Sequence, residues 1–278
     1  MAPVITLTTD FGTNDAYAAS LKGAILSINP DSHIIDISHD IEPQNIRQAA
    51  FLIHTVHSSF PAGTMHLVIV DPGVGGVRRA VALRTPEAFF IAPDNGVLSY
   101  IIDEYCSGLI QDGTMQDNGT SASTICSQLY AVSLIRQQYW RNPVSPVFHG
   151  RDIFAPVAAH LSLGTSLEEL GERITELQTL ALPHTITGAD GSIEGCIIHI
   201  DTFGNLVTNI KTAQIAGADY IVSIHRCPVK GINNYYAEME GLGAVAGSNG
   251  YLEISCRNGS AQKQLNAVVG DKVYVTPV

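Results

Sequence analysis

A chain of 278 residues, 45% of them apolar, is long enough for two domains that each bury a core. Its formal net charge is −11 with no concentrated basic face, which excludes a protein that must displace counterions from nucleic-acid phosphates. No apolar run approaches the roughly 20 residues of a membrane span, and Met1 to Thr9 lacks the basic and apolar regions of a signal peptide, so a cytoplasmic protein is expected.

The first half alternates strand and helix patterns. Residues 4–9 are a β-branched run that predicts a first strand. Thr13 or Asn14 is expected to cap a helix through about Ile28, with Tyr17, Leu21, Ala24, Ile25 and Ile28 on one face. A second strand is expected at 33–37, and Pro43 is read as opening a second helix with Ile46, Ala49, Ala50, Ile53 and Val56 at helical spacing. Residues 67–70 read as a strand buried on both faces, followed by strands at 80–83 and 88–91 and a helix over 151–163. This pattern predicts an α/β N-terminal domain, residues 1–180, with a largely parallel sheet. Residues 107–127 are polar, weakly patterned and read as a surface insertion.

Residues 181–192 are rich in turn formers and mark a boundary. Short β-type runs follow at 194–200, 205–210, 220–225, 250–255 and 272–276, predicting a small all-β, barrel-like C-terminal domain over 192–278. The cysteines are Cys106, Cys126, Cys196, Cys227 and Cys256. Their odd number and the absence of CxxC argue against a zinc site and against a disulfide framework, so buried thiols in a reducing compartment are expected.

Polar residues gather at predicted strand ends, where α/β sheets place their ligands. Asp10, within Thr8-Thr9-Asp10-Phe11-Gly12, could accept hydrogen bonds from a ribose diol or merely cap the next helix. The Asp71-Pro72-Gly73-Val74-Gly75-Gly76-Val77-Arg78-Arg79 loop brings backbone close to a ligand or is simply a tight turn, with Asp71 and Arg78 able to pair across it. It lacks the GxxxxGK[ST] order of a phosphate loop. Further clusters are Asp94-Asn95-Gly96, Phe148-His149-Gly150-Arg151-Asp152 and Asp201-Thr202-Phe203-Gly204-Asn205. Each alone admits a purely structural reading, but five in one chain favour a polar small-molecule site. There is no HExxH and no GxSxG, and spacing neither supports nor excludes a metal held by Asp10, His39, Asp40 and Asp71.

The segments TTDFGTNDAY (8–17), SHDIEPQNI (38–46), VDPGVGGVRR (70–79), APDNGVLS (92–99), FHGRDIFAPVAAHL (148–161), IDTFGNLVTNI (200–210) and GSNGYLEI (247–254) carry a resemblance. Together the chain resembles the S-adenosyl-L-methionine (SAM) hydroxide adenosyltransferases, relatives of the SAM-dependent fluorinase and chlorinase. The resemblance implies an α/β domain followed by a β-barrel, and a homotrimer whose sites lie between the N-terminal domain of one subunit and the C-terminal domain of the next. It implies hydrolysis of SAM to adenosine and methionine with no metal and no cofactor. Asp71, Arg78 and His149 match the set that handles water; the halogenases carry tyrosine, threonine and tyrosine there. Asp10 matches the ribose-binding carboxylate, and Asp15, Tyr17 and Asn95 match further site positions. Asp201, Asn205 and Ser248 match positions holding the methionine or adenosine parts, and Cys256 and Asn258 match positions whose backbone faces adenine. Gln44 stands where the fluorinase has tryptophan and Asn249 where it has arginine, while the insertion at 107–127 keeps a halogenase as the alternative beside a non-catalytic SAM- or adenosine-binding protein. Asp71 and His149 both remain candidate proton acceptors.

Overall fold

The computed structural model describes residues 2–115, 119–216, 219–233 and 235–278, apart from the Lys230 side chain. Residues 116–118 of the expected insertion lie outside the described residues. The chain divides into two compact units, one of residues 1–111 and 119–180, the other of residues 112–118 and 181–278.

The elements of the first unit, in chain order, are β1 (Val4–Thr9), α1 (Tyr17–Leu26), β2 (His33–Ser38), α2 (Ile46–Val56), β3 (Thr64–Ile69), β4 (Ala80–Arg84), β5 (Ala88–Pro93), α3 (Ser99–Tyr105), β6 (Thr120–Thr124), β7 (Tyr130–Leu134), α4 (Ala155–Ser162), α5 (Leu167–Leu170), β8 (Gly171–Ile174) and β9 (Glu176–Leu180). The main sheet runs β2-β1-β3-β5-β4-β7-β8. The β1–β2, β1–β3 and β3–β5 pairs are parallel, whereas β5–β4, β4–β7 and β7–β8 are antiparallel. The expected largely parallel sheet is therefore a mixed one. A buried strand reads as a continuous apolar run whichever way its neighbour points, so the sequence pattern could not separate the two.

Side chains alternate across β1 and β3. Ile5, Leu7, Met65, Leu67 and Ile69 join Leu21 and Ile25 of α1 and Val157 and Leu161 of α4 in one core. The intervening His66 faces the other way, against Phe90 and against His57 just beyond α2. Helices thus cover both faces. Each fully buried Leu or Ile contributes about 1.5–3 kcal/mol relative to exposure.

Two helix starts differ from expectation. Helix α1 begins at Tyr17 with Ala16 before it and no side-chain cap. Residues 10–16 instead form turns, with Gly12 at φ +67° and its N–H donating 2.8 Å to the His39 carbonyl. Helix α2 starts at Ile46, capped by the Asn45 side chain, which accepts 3.0 Å from Gln48 N. Pro43 stays outside it, and Gln44 takes a left-handed φ of 67°. The expected helix over 151–163 is a π-helical turn, Gly150–Phe154, that leads into α4.

The cysteine expectation is overturned. Cys106 and Cys126 form a disulfide, with Cα atoms 5.6 Å apart. Of the remaining three, Cys227 is exposed and Cys196 and Cys256 are half-buried, so none is a buried thiol. The disulfide ties the residue just past α3 to the second residue past β6, a strand that pairs antiparallel with β9. Part of the expected insertion is therefore a strand and a covalent tie. Such bonds persist in oxidising compartments, so the cysteines do not argue for a reducing one.

The second unit contains β10 (Ile186–Thr187), β11 (Ile193–Ile200), β12 (Leu206–Lys211), β13 (Tyr220–Ile224), β14 (Cys227–Asn233), β15 (Leu242–Ala246), β16 (Tyr251–Cys256), α6 (Ala261–Leu265) and β17 (Lys272–Pro277). The sheet runs β10-β11-β12-β16-β15-β14-β13-β17, and β17 returns to pair with β11, curling it into a barrel. Ile197, Leu206, Ile210, Val222, Leu252, Ile254, Val273 and Val275 fill its interior. Among the described residues no helix is long and apolar enough to cross a membrane.

Candidate active site

In the first unit the polar clusters converge where β1 and β3 end. A cleft of about 460 Å³ is lined by Asp10, Phe11, Tyr17, Gln44, Asp71 and His149, among others. That is ample for a nucleoside-sized ligand. Asp10 directly follows β1, and its Oδ2 accepts 2.8 Å from the Gln44 N–H. The left-handed Gln44 backbone turns that N–H towards the carboxylate. The capping reading of Asp10 therefore does not hold.

Asp71 follows β3 by one residue and is 6% exposed at its side chain. Arg78 Nε donates to both of its oxygens, at 2.9 and 3.1 Å. Arg78 Nη2 donates to Asp71 Oδ2 as well, and lies 3.0 Å from His149 Nδ1. Guanidinium nitrogens only donate, so His149 Nδ1 accepts and the neutral ring carries its proton on Nε2. Burial, then the Arg78 charge, holds the His149 pKa below its usual value, while Asp71 and Asp152 oppose the shift. Asp71 and His149 face the cleft, and Arg78 bridges them from behind, stacked 5.2 Å from the Phe154 ring.

The loops that carry this trio meet closely. Gly75 sits at φ +76°, and a Cβ on it would lie 2.4 Å from the Pro146 carbonyl oxygen. The segment before His149 is held by Asp152, fully buried, which accepts from Ser145 N at 2.8 Å and from Arg151. His149 itself makes no capping bond to the π-helical turn after it, so it is not a simple cap. π-type turns recur at functional sites. A side chain at Gly150 would press on Leu21, Ile69 and Phe11.

An aromatic wall completes the cleft. Phe11, Tyr17 and Phe148 lie within 5.4–6.0 Å of one another, centroid to centroid. The sequence reading named Tyr17 alone; the signal for the others was their place inside the quoted motifs. Asp15 is exposed and does not line the cleft. The Asn95 amide donates 2.8 Å to the Val70 carbonyl while its oxygen accepts from Val97 N, so it anchors the chain beside Asp71.

The second unit has its own cleft of about 630 Å³, lined by Asp201, Asn205, Tyr236, Cys256, Arg257 and Asn258, among others. Asp201 Oδ1 accepts from Phe203 N and Asn205 N, and Oδ2 accepts 2.8 Å from Asn205 Nδ2. Gly204, at φ +81°, permits this turn, since a Cβ there would meet Ser260 Oγ at 2.0 Å. Asn258 is left-handed at φ 56°. Ser248 and Asn249 are exposed in the turn before β16 and do not line this cleft. The sequence reading missed Tyr236, which lies outside every quoted motif. Its hydroxyl donates 3.0 Å to the buried Glu253, and burial with that carboxyl pushes its pKa up to about 12. Burial also raises the Glu253 pKa.

Known proteins resemble this chain along nearly its whole length. The SAM hydroxide adenosyltransferase N-terminal domain matches residues 5–112 and 113–171, and the C-terminal domain of the same family matches 195–274. An (R)-S-adenosyl-L-methionine hydrolase of Methanocaldococcus jannaschii is 30% identical, over 98% of this chain and 95% of its own. The enzyme of that name from Thermus thermophilus is 33% identical, over 97% and 98%. A fluorinase of an Actinoplanes species is 30% identical over 78% of this chain and 76% of its own. The crystal structure of an uncharacterized conserved protein from Thermotoga maritima superposes with a TM-score of 0.84 at 30% identity, covering 99% of this chain and 100% of that one. With both of its domain models matched in order along nearly its whole length, the chain belongs to the SAM hydroxide adenosyltransferase family.

Proposed function

We propose that this protein is a hydrolase that splits SAM into adenosine and L-methionine by attack of water on the ribose 5′ carbon. The observation that carries the reading is the Asp71–Arg78–His149 chain of hydrogen bonds at the edge of the N-terminal cleft. The sulfonium is already a good leaving group. A C5′–O bond forms as the C5′–S bond breaks, the electron pair stays on sulfur as neutral methionine, and one water proton is lost. No acid is required; the demand is for one positioned water and an acceptor for its proton.

The contacts divide the labour. His149 Nδ1 is occupied by Arg78, so a neutral His149 can only donate, from Nε2, to the water oxygen. Asp71 retains lone pairs beyond those that meet Arg78 and takes the proton. Arg78 bridges the two and compensates the charge that builds on the water. Asp10, with Oδ2 held by Gln44, offers Oδ1 to the ribose diol. The aromatic wall offers π faces to the cationic sulfonium. No resident metal or cofactor enters this scheme.

The second cleft is read as the other half of the site, with Asp201, Asn205, Cys256 and Asn258 receiving the remainder of SAM. Phe203 at its rim is 76% exposed, Val147 of the first cleft is exposed, and so is Val77 in the loop after Asp71. The homotrimer implied by the family resemblance, in which each site joins the clefts of neighbouring subunits, would cover these side chains. A cytoplasmic setting belongs to the same reading, with Cys106–Cys126 then held against a reducing thiol pool.

A halogenase is the second reading, favoured by the fluorinase match. The nearly buried Asp71 carboxylate opposes a halide in the position assigned to water. Chromatography of a SAM incubation, with and without chloride and fluoride, separates these readings. Equimolar adenosine and methionine, indifferent to halide, are expected. A halogenated nucleoside would replace the hydrolase with a halogenase, and absence of turnover would leave a binding protein.

A further inference from the structure

Asp10 and Asp71 sit at the C-terminal ends of β1 and β3. Helix α2 carries the chain back toward the N-terminal ends of these parallel strands, where a second polar cluster gathers. His57 follows α2, and its side chain is 3% exposed. Its Nδ1 lies 2.9 Å from the His54 carbonyl oxygen, which can only accept, so Nδ1 carries a proton. A proton on Nδ1 leaves Nε2 as the ring nitrogen that can ligate. That nitrogen is buried, makes no hydrogen bond, and lies 3.5 Å from Glu104 Oε2, itself an acceptor. His54 Nδ1 lies 3.3 Å from the same carboxylate oxygen.

We infer that His54, His57 and Glu104 form a zinc site that staples the end of α2 to the end of α3. The three ligand atoms lie within 4.8 Å of one another. In a tetrahedron with Zn–N and Zn–O bonds of about 2.0–2.2 Å, ligand atoms stand about 3.3–3.5 Å apart. The two separations to Glu104 match that edge length. A dication between them would be ligated by both the His57 Nε2 and the Glu104 carboxylate. The bond from His57 Nδ1 to a backbone carbonyl is the outer contact that fixes the tautomer of a metal-bound imidazole. The rings are set by packing: His54 stacks on Tyr100 at 5.5 Å, and His57 meets Phe90 at 5.8 Å. Glu104 is 37% exposed at its side chain, which leaves an entry path and room for water as the fourth ligand.

The test uses the full chain, stripped with chelator and desalted. Zn²⁺ is titrated calorimetrically, and metal retained after a second desalting is counted by elemental analysis. One zinc per chain is expected, with affinity weakened at least about 100-fold in His57→Ala and in Glu104→Gln. Glu104→Gln is half-exposed and guards against a folding defect in the buried variant. Co²⁺ should give the visible absorption of a four-coordinate nitrogen and oxygen site in the parent and in neither variant. No retained zinc, or retention unchanged in either variant, overturns the site. The readout is metal content, so it is independent of SAM turnover.

Discussion

At the scale of the residue, the charged trio makes two separable predictions. Arg78 spans Asp71 and His149 with a fixed fork, which a lysine point charge cannot reproduce. Arg78→Lys should lower kcat by roughly 100-fold or more while KM for SAM moves only a few-fold. Equal losses in kcat and affinity would place Arg78 in substrate binding instead. The second prediction is a pH limb. His149 is held below its ordinary pKa by burial and by Arg78, so it is neutral at pH 7 and protonates only as pH falls further. Protonation removes the Nδ1 acceptor and sets a cation against Arg78, so kcat/KM should fall on the acid side below pH ~6.5. Removing a cation raises a neighbouring base's pKa, so in Arg78→Ala the residual activity should show that limb at higher pH. In Asp71→Asn it should move lower, because the Asp71 charge opposes the shift. A limb that stays in place in both variants would show that it does not belong to His149. Much of this was legible in the sequence, since Asp71 and Arg78 flank a loop whose glycines bring its two ends together. What remained hidden was the third dimension: that His149 spends Nδ1 on Arg78, and that Arg78 lies behind the other two.

At the scale of the element, the loop after β3 works because it can touch the loop before α4. Gly75→Ala would force a side chain into a left-handed backbone and against the Pro146 carbonyl. It should destabilise the fold by about 2–3 kcal/mol and depress turnover through Arg78 placement. Thermal unfolding alongside kcat measures both, and an unchanged melting temperature would mean the two loops do not meet. The strands that set this stage were readable because β1, β2, β4 and β5 are compact β-branched or apolar runs bounded by turn residues. Strands β6 to β10, β14 and β15 escaped: Pro228 and Gly231 break the pattern of β14, and Gly243 falls within β15. Helix starts were misread where the chain serves the cleft, since residues 10–16 and Gln44 take turn geometry that helical periodicity does not encode. The disulfide escaped because 20 residues separate its partners and no spacing rule pairs them. Thiol titration of unfolded, unreduced protein should find three of five cysteines free, and all five after reduction. Reduction should cost about 3 kcal/mol of stability through the loop it opens.

At the scale of the whole molecule, the proposed function divides the polar groups that would hold SAM between the two clefts. The first carries the trio, Asp10 and the aromatic wall; the second carries Asp201, Asn205 and the backbone turn at Asn258. The proposal that neighbouring subunits combine them has an arithmetic consequence. Asp10→Ala disables only the first cleft and Asp201→Ala only the second, so each variant alone should be inactive. Unfolding and refolding a 1:1 mixture scrambles the subunits. A site built from the first cleft of one subunit and the second cleft of another is intact whenever each partner supplies its unmutated half. Random assortment gives that outcome at about one site in four, so the mixture should recover about a quarter of the parent activity. A site built within a single chain gives the opposite result, because every chain carries one defect and no assortment repairs it. Recovery near a quarter, with mixed trimers seen by native mass spectrometry, supports the shared site. Mixed trimers without recovery would confine each site to one chain and assign the exposed Phe203, Val77 and Val147 to some other contact.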